Sequence, residues 1–464
     1  MVLAAVVAVA LVATGVFSFD VKLGAEPGPE VPKEWDSRVA DLVKFVEKTR
    51  RHEFEHPVAV DFLTDDEYSS AIRVDGGELS DDDRTAIDDQ VSMMRAVGVV
   101  SGELDLFGSR NEILDNGTLA FYDPATQRVR VRGTEVDVEL QVTLVHELTH
   151  VLQDQLFDLN RMNTMSNGEA SAFHALVEGD AVRVERVFVE GLPVEEQTTY
   201  EDANGASVDE ADTELSEVPQ FLQATFALPY FVGPPMAELL ADRGTDVLDD
   251  AFRKPPKAIE SLFDYGAFLD SSAPDELAEP ALPDGATKLD GGTFGADSWY
   301  LLLAQRTDAI AALDAVDGWT GDSYVQYRQD DTTCLKALYQ GRNSTEGREM
   351  VSALQAWAGT MPPEAQVVVE TPKTGQALVS TCDPGPEVDQ QVADRALDVL
   401  ALPAMRLYLA LGAQQGGLSA EDASEFAACA LDHLSEGTAI AFGKGEVAQE
   451  VLIGATSTCR ETGR

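Results

Sequence analysis

Two histidines four residues apart, with a glutamate beside the first, form the segment of this chain best suited to chemistry: His146-Glu147-Leu148-Thr149-His150. On a helix, side chains four apart project from one face, one turn apart. That spacing lets two imidazole nitrogens reach one zinc ion at about 2.0–2.1 Å. Glu147 then stands beside the ion, where a carboxylate can take a proton from water whose pKa the ion has lowered to near neutrality. Leu144, Val145, Leu148, Val151 and Leu152 supply apolar surface to bury the rest of the helix. The plain alternative, two histidines covering a helix surface, is disfavoured by the mid-helix position of the motif.

A catalytic zinc takes three protein ligands and keeps a fourth position open. The metzincin pattern needs Gly at 153 and His at 156; Gln153 and Leu156 stand there, which excludes that class. On the following helix His174 and Glu178 are four apart and share a face. Glu178 sits in Ala175-Leu176-Val177-Glu178-Gly179-Asp180-Ala181, among apolar neighbours and beside a glycine that permits close helix approach. It is the expected third ligand, against the competing role of a solvated surface charge. His174 is the other contender, or a group that hydrogen-bonds the site from outside. Zinc-bound histidines usually donate their second N–H to a carboxylate, and Asp180 and Asp154 are the nearest acids. A transition-state oxyanion needs a further donor, for which Tyr230, Tyr200 and His174 are candidates. For Tyr230 the competing role is packing in the core.

Several elements must position these residues. Residues 35–50 read as an amphipathic helix, 58–63 as a strand, and 80–97 as a helix with Asp81, Asp82 and Asp83 at its N-terminal end. Residues 117–122 and 128–132 alternate around the turn Asp123-Pro124-Ala125-Thr126 and read as a hairpin. A long helix, capped by Thr134, runs to about 156 and carries the motif; a second spans about 169–189. Residues 191–219 are acidic and polar and read as a mobile surface loop, with a lid over the cleft as one possible role. Pro-punctuated helical sequence follows to about 256, then a loop at 271–292 rich in Pro, Asp and Gly. Residues 324–382 read β-β-α-β-β, with Ser344 capping the helix to Ala358 and a strand at 366–370; residues 388–459 read as helical.

With 464 residues, 44 % of them hydrophobic, the chain is globular, and the helices and short strands read along it make the expected class α+β. Its 82 acidic residues against 33 basic ones give a formal net charge of -49. So negative a field repels phosphate backbones, so nucleic acid is excluded as a partner. Residues 1–19 carry no charge and are long enough to cross a bilayer, and 20–32 read as a linker. This favours an N-terminal anchor with the rest outside the cytosol; cleavage as a signal segment would make the protein secreted instead. Four cysteines suit two disulfides in that compartment, with local pairings Cys334–Cys382 and Cys429–Cys459 expected.

The pairing of His146-Glu147-Leu148-Thr149-His150 with a glutamate on the next helix resembles the gluzincin class of zinc peptidases. More closely, residues 146–159 and 175–181 resemble a poorly characterised group of secreted or membrane-anchored bacterial and archaeal metallopeptidases. The resemblance extends to Ala227-Leu228-Pro229-Tyr230 and Gly318-Trp319-Thr320-Gly321-Asp322. It implies zinc held by His146, His150 and Glu178, with Glu147 as general base. The thermolysin-like Asn-Glu-x-x-Ser-Asp pattern is absent; Val177-Glu178-Gly179-Asp180 replaces it. A zincin-like domain at 33–323 is then expected, followed by a small α+β unit at 324–384 and a helical region at 385–464. Such a domain needs an edge strand above the active-site helix where a peptide adds as a further strand, and either strand of the hairpin could supply it. The expected function is extracytoplasmic peptide-bond hydrolysis; the alternative is a zincin-fold binding or assembly protein without turnover.

Overall fold

The structure, a computed structural model, describes residues 31–73, 79–258, 263, 273–443 and 454–459. The expected anchor at 1–19 and most of the 20–32 linker lie outside the described residues. Helix dominates, and the strands form two small sheets, an α+β architecture.

The N-terminal part runs α1 (Ala40–Arg50), β1 (Ala59–Leu63), α2 (Asp65–Ile72), α3 (Asp81–Ala96), α4 (Leu106–Asn116), β2 (Ala120–Asp123) and β3 (Arg128–Arg132). The first sheet has the order β1-β3-β2, with β1 parallel and β2 antiparallel to β3. Alternation buries Val129 and Val131 and leaves the arginines of β3 to pair with acids, Arg128 with Asp61 and Arg132 with Asp115. Because β1 occupies one side of β3, β2 is left as an edge.

Under that sheet lies α5 (Val138–Phe157). It is capped by Asp137, whose carboxylate accepts the Leu140 N–H at 2.9 Å, rather than by the expected Thr134. The helix is buried on almost every side, with Leu144, Val145, Leu148, Val151 and Leu152 packed among α1 and β3. Next come α6 (Asn167–Gly191), α7 (Val194–Glu214), α8 (Gln220–Arg243) and α9 (Thr245–Arg253). The backbones of α6 and α8 touch. A Cβ on Gly179 would fall 2.2 Å from the Gly233 carbonyl carbon, and one on Gly233 2.0 Å from the Ala175 oxygen. Only glycine fits at either place.

The expected loop at 191–219 is instead mostly helix α7. It is rich in helix formers, Glu195 and Glu196 favour its N-terminus, and Thr198, Thr199 and Thr213 hydrogen-bond back to carbonyls four residues earlier. Only Tyr200 and Asn204 are buried, so no apolar period announced it. The expected loop at 271–292 likewise ends in a strand, β4 (Thr287–Gly292), on the edge of the second sheet.

That sheet has the order β4-β5-β6-β8-β7, every neighbour antiparallel, with β5 (Trp319–Gln329), β6 (Thr332–Gly341), β7 (Val368–Glu370) and β8 (Gln376–Cys382). The helix Ser344–Ala358 is capped by Asn343 rather than by Ser344, since the Asn343 side chain accepts the N–H groups of Thr345 and Glu346. Both expected disulfides are present: Cys334 and Cys382 stand opposite each other on β6 and β8, and Cys429 joins Cys459. One large apolar cluster, from Val91 to Ala439, joins α6 and α8 to the second sheet and the C-terminal helices. Residues Ala396–Gln415 are long and apolar enough to cross a bilayer but are mostly buried inside the protein.

The segment 318–322 is explained by Asp322. Its buried carboxylate accepts the backbone N–H groups of Phe294 (2.5 Å) and Gly295 (2.8 Å) and the indole N–H groups of Trp299 (3.2 Å) and Trp319 (2.8 Å). It pins the start of the helix Ala296–Ala304 to β5.

Candidate metal centre

One turn of α5 and one of α6 face each other, and four chemically able side chains meet between them. His146, Glu147, His150 and Glu178 are 0 %, 1 %, 4 % and 0 % exposed. Glu178 Oε2 lies 3.1 Å from His146 Nε2 and 3.4 Å from His150 Nε2. One ligand atom from each of the three falls within 4.8 Å of the others, the separation that a shared ion requires. His174, one turn before Glu178, places Nε2 3.2 Å from Glu178 Oε1.

The other nitrogens of the two histidines are held from behind. His150 Nδ1 is 2.9 Å from Gln153 Oε1. The Gln153 amide can point only one way, because its nitrogen donates to Val177 O at 3.1 Å and to Asp180 Oδ2 at 3.0 Å. The amide oxygen therefore faces the imidazole, so His150 Nδ1 carries the proton. Asp180 is fixed in turn by Arg50 of α1 (2.9 Å) and Arg183 (2.9 Å). His146 Nδ1 lies 3.3 Å from Glu185 Oε2, and Tyr200 donates to the other oxygen of that carboxylate at 3.3 Å.

With both Nδ1 atoms donating, an imidazole that holds no second proton aims its Nε2 lone pair at a carboxylate. Acceptors facing acceptors in a buried space repel unless a cation lies between them. His150 Nε2 indeed makes no hydrogen bond, and neither does Glu147 Oε1, although both atoms are buried. The electrostatics favour positive charge between these groups, carried by protons on the imidazoles or by an ion in their place. Burial would depress the His146 pKa, but Glu178 and Glu185 outweigh it and raise it to about 10. Burial opposes ionisation of Glu178, yet His150, His146 and His174 hold its carboxyl well below the usual range. Two nitrogens and one carboxylate oxygen match the donor set of a zinc ion with an open position. The residues fit the ion.

Glu147 is placed differently from the ligands. Its Oε2 accepts the backbone N–H of Tyr122 on the edge strand β2 at 2.6 Å, and its Oε1 is free. Burial pushes its pKa up to about 7, against the pull of His150 and His146. Such a carboxyl sits near neutrality, where a general base is most effective.

The remaining sequence candidates fall around this centre. Asp180 reaches His150 only through Gln153. Asp154 touches neither histidine; it accepts the Tyr122 hydroxyl at 2.7 Å and the Leu159 N–H at 2.8 Å, and so holds the strand that holds Glu147. The Tyr230 ring stacks on His146 with centroids 6.3 Å apart, and its hydroxyl interacts with Glu178. Tyr200 lies behind Glu185, to which its hydroxyl donates, and is held away from Glu147 and Glu178 by that bond. Sequence reasoning missed Gln153, Glu185 and Arg50. The first two carried a signal: Gln153 is one turn after His150, and Glu185 is two turns after Glu178 on the same face. A second group, Cys429, His433 and Cys459, also has ligand spacing, but its two sulfurs are joined in a disulfide and offer no thiolate.

Replacing Gln153 by Leu removes the acceptor that fixes the His150 tautomer and leaves Asp180 short of a donor. Loss of such a supporting group typically costs about 10–100-fold in metal affinity. Competition titration against a chromogenic chelator checks this, and wild-type affinity in Gln153→Leu would refute the assignment.

No family model, curated protein or solved structure matches this chain.

Proposed function

We propose that this chain is a zinc-dependent peptidase with a zincin-like domain of the gluzincin kind. The observation that carries the reading is the convergence of His146 Nε2, His150 Nε2 and a Glu178 oxygen beside a second carboxyl, Glu147, with one oxygen unpartnered. When bound, zinc would act as a Lewis acid and bring the pKa of water near neutrality. Glu147 would take the proton of the attacking water at Oε1 and pass it to the leaving amine nitrogen as the C–N bond breaks. The Tyr122 N–H steadies Glu147 throughout. The Tyr230 hydroxyl and His174 flank Glu178 and would be the donors to the developing oxyanion.

The substrate side of the reading rests on β2. Its Tyr122 N–H points at Glu147, so the open edge of the sheet borders the motif. An extended peptide could add there as a further strand, with main-chain hydrogen bonds giving affinity. The two disulfides suit an oxidising compartment, which agrees with the proposed placement outside the cytosol, anchored or secreted.

One observation favours a second reading, a zincin-fold binding protein without turnover: the four site residues are almost wholly covered. The readings separate in one experiment. The full chain, loaded with zinc, is incubated with a mixed peptide library and followed by mass spectrometry, with metal content measured by plasma emission. Peptidase function predicts about one zinc per chain and new peptide termini. The Glu178→Gln variant should lose at least about tenfold in zinc affinity. Full zinc occupancy with an intact library would favour the binder, and absence of zinc would overturn both.

A further inference from the structure

Far along the chain from the metal ligands, Arg306 is a cation without a counter-ion. Among the described residues it makes no ion pair, in a protein where acids outnumber bases 82 to 33. Its guanidinium is instead held by backbone carbonyls: Nε donates to Gly98 O at 2.6 Å, Nη1 to Thr360 O at 3.2 Å and Nη2 to Gln390 O at 3.0 Å. Gly98 is required there, since it adopts φ +74° and a Cβ would strike Arg306 Nε at 2.7 Å. Carbonyl dipoles orient the side chain but leave its full charge uncompensated. Burial, with no acid to oppose it, pulls the Arg306 pKa below its usual value. A guanidinium carries five N–H donors, so one remains on each terminal nitrogen.

A cavity of about 490 Å³ opens on this group. Arg306, Arg395, Gln305, Gln390 and Thr360 form its polar wall, and Met361 an apolar one. The lining carboxylate, Asp389, is turned to its own backbone, where Oδ1 accepts the Gln391 N–H at 2.9 Å. Among the described residues Arg395 pairs with one acid, Glu436, and also reaches Thr307 O at 3.4 Å. The volume lies within the range of small-molecule pockets.

We propose that this cavity is a binding site for a small molecule bearing an oxyanion, carboxylate or phosphate, seated on the free N–H groups of Arg306 with Arg395 beside it. Guanidinium matches both anions through paired hydrogen bonds, and a half-buried one binds them more strongly than a surface lysine would. The alternative role for Arg306, a staple joining the 98, 360 and 390 segments, uses three donors and leaves the cavity and the remaining charge without purpose.

Isothermal titration of the full-length protein at low ionic strength, with succinate and with inorganic phosphate, tests the site against sodium chloride at matched ionic strength. Saturable binding of about one anion per chain is expected. Preference for succinate assigns a carboxylate ligand and preference for phosphate a phosphorylated one. Arg306→Gln should weaken binding at least tenfold. Because that change also removes the staple, Ala393→Glu is the second variant: it places a carboxylate in the cavity from an exposed lining position and should abolish binding with Arg306 intact. Failure of both anions to bind at millimolar concentration, or unchanged affinity in Ala393→Glu, would overturn the proposal.

Discussion

Glu147→Gln is expected to bind zinc within about threefold of the wild type while peptide hydrolysis falls by roughly 10²–10⁴-fold, the usual contribution of a positioned general base. The substitution is nearly isosteric, and the amide oxygen can still accept the Tyr122 N–H now given to Oε2. What disappears is the basic oxygen at Oε1, the one buried atom of this side chain without a partner. The ligands His146, His150 and Glu178 are untouched, so metal content and turnover should separate cleanly. Plasma emission and initial rates on the same preparation measure the two. Undiminished hydrolysis would remove Glu147 from the mechanism, and loss of zinc together with activity would make it a ligand or a structural residue.

Asp322→Ala is expected to cost about 4 kcal/mol or more of folding stability, in the range reserved for disrupted buried networks. Four N–H donors lose their acceptor at once, two from the backbone at Phe294 and Gly295 and two from Trp299 and Trp319. Each unsatisfied buried group costs about 1–3 kcal/mol, and the sum is not additive. The pH dependence has a definite sign. Burial, only partly offset by the four donors, raises the Asp322 pKa from 3.8 to about 6. A raised folded pKa means that its contribution is complete below about pH 4 and shrinks as pH rises through 6. Urea unfolding at pH 5 and pH 8 should therefore show the larger gap between wild type and variant at pH 5. A gap under 1 kcal/mol at both would show that Asp322 does not organise this core.

The motif from His146 to His150 was legible because its geometry is local: a spacing of four residues on a helix defines one face whatever surrounds it. Glu178 was legible for a related reason, a charge set among apolar residues beside a glycine, and the Gly179–Gly233 contact is the close approach that glycine implied. The hairpin was readable, but not which strand becomes the edge. That depended on β1 pairing with β3, a contact between segments far apart in the chain. Arg50 escaped notice for the same reason: nothing local links an arginine closing α1 to Asp180 on α6. Helix α7 escaped for the opposite one. It forms by local propensity and capping with almost no buried face, so a reading keyed to apolar periodicity passed over it.

The touching backbones of α6 and α8 have a kinetic consequence. Glu178 precedes Gly179, so the carboxylate that would hold an ion is carried on a turn whose backbone touches α8. Solvent barely reaches the three candidate ligands in this conformation, and an ion there would depart only when packed helices separate. Its residence time would then be set by how often the fold opens. Raising the concentration of a chelator would speed removal up to that opening rate and no further.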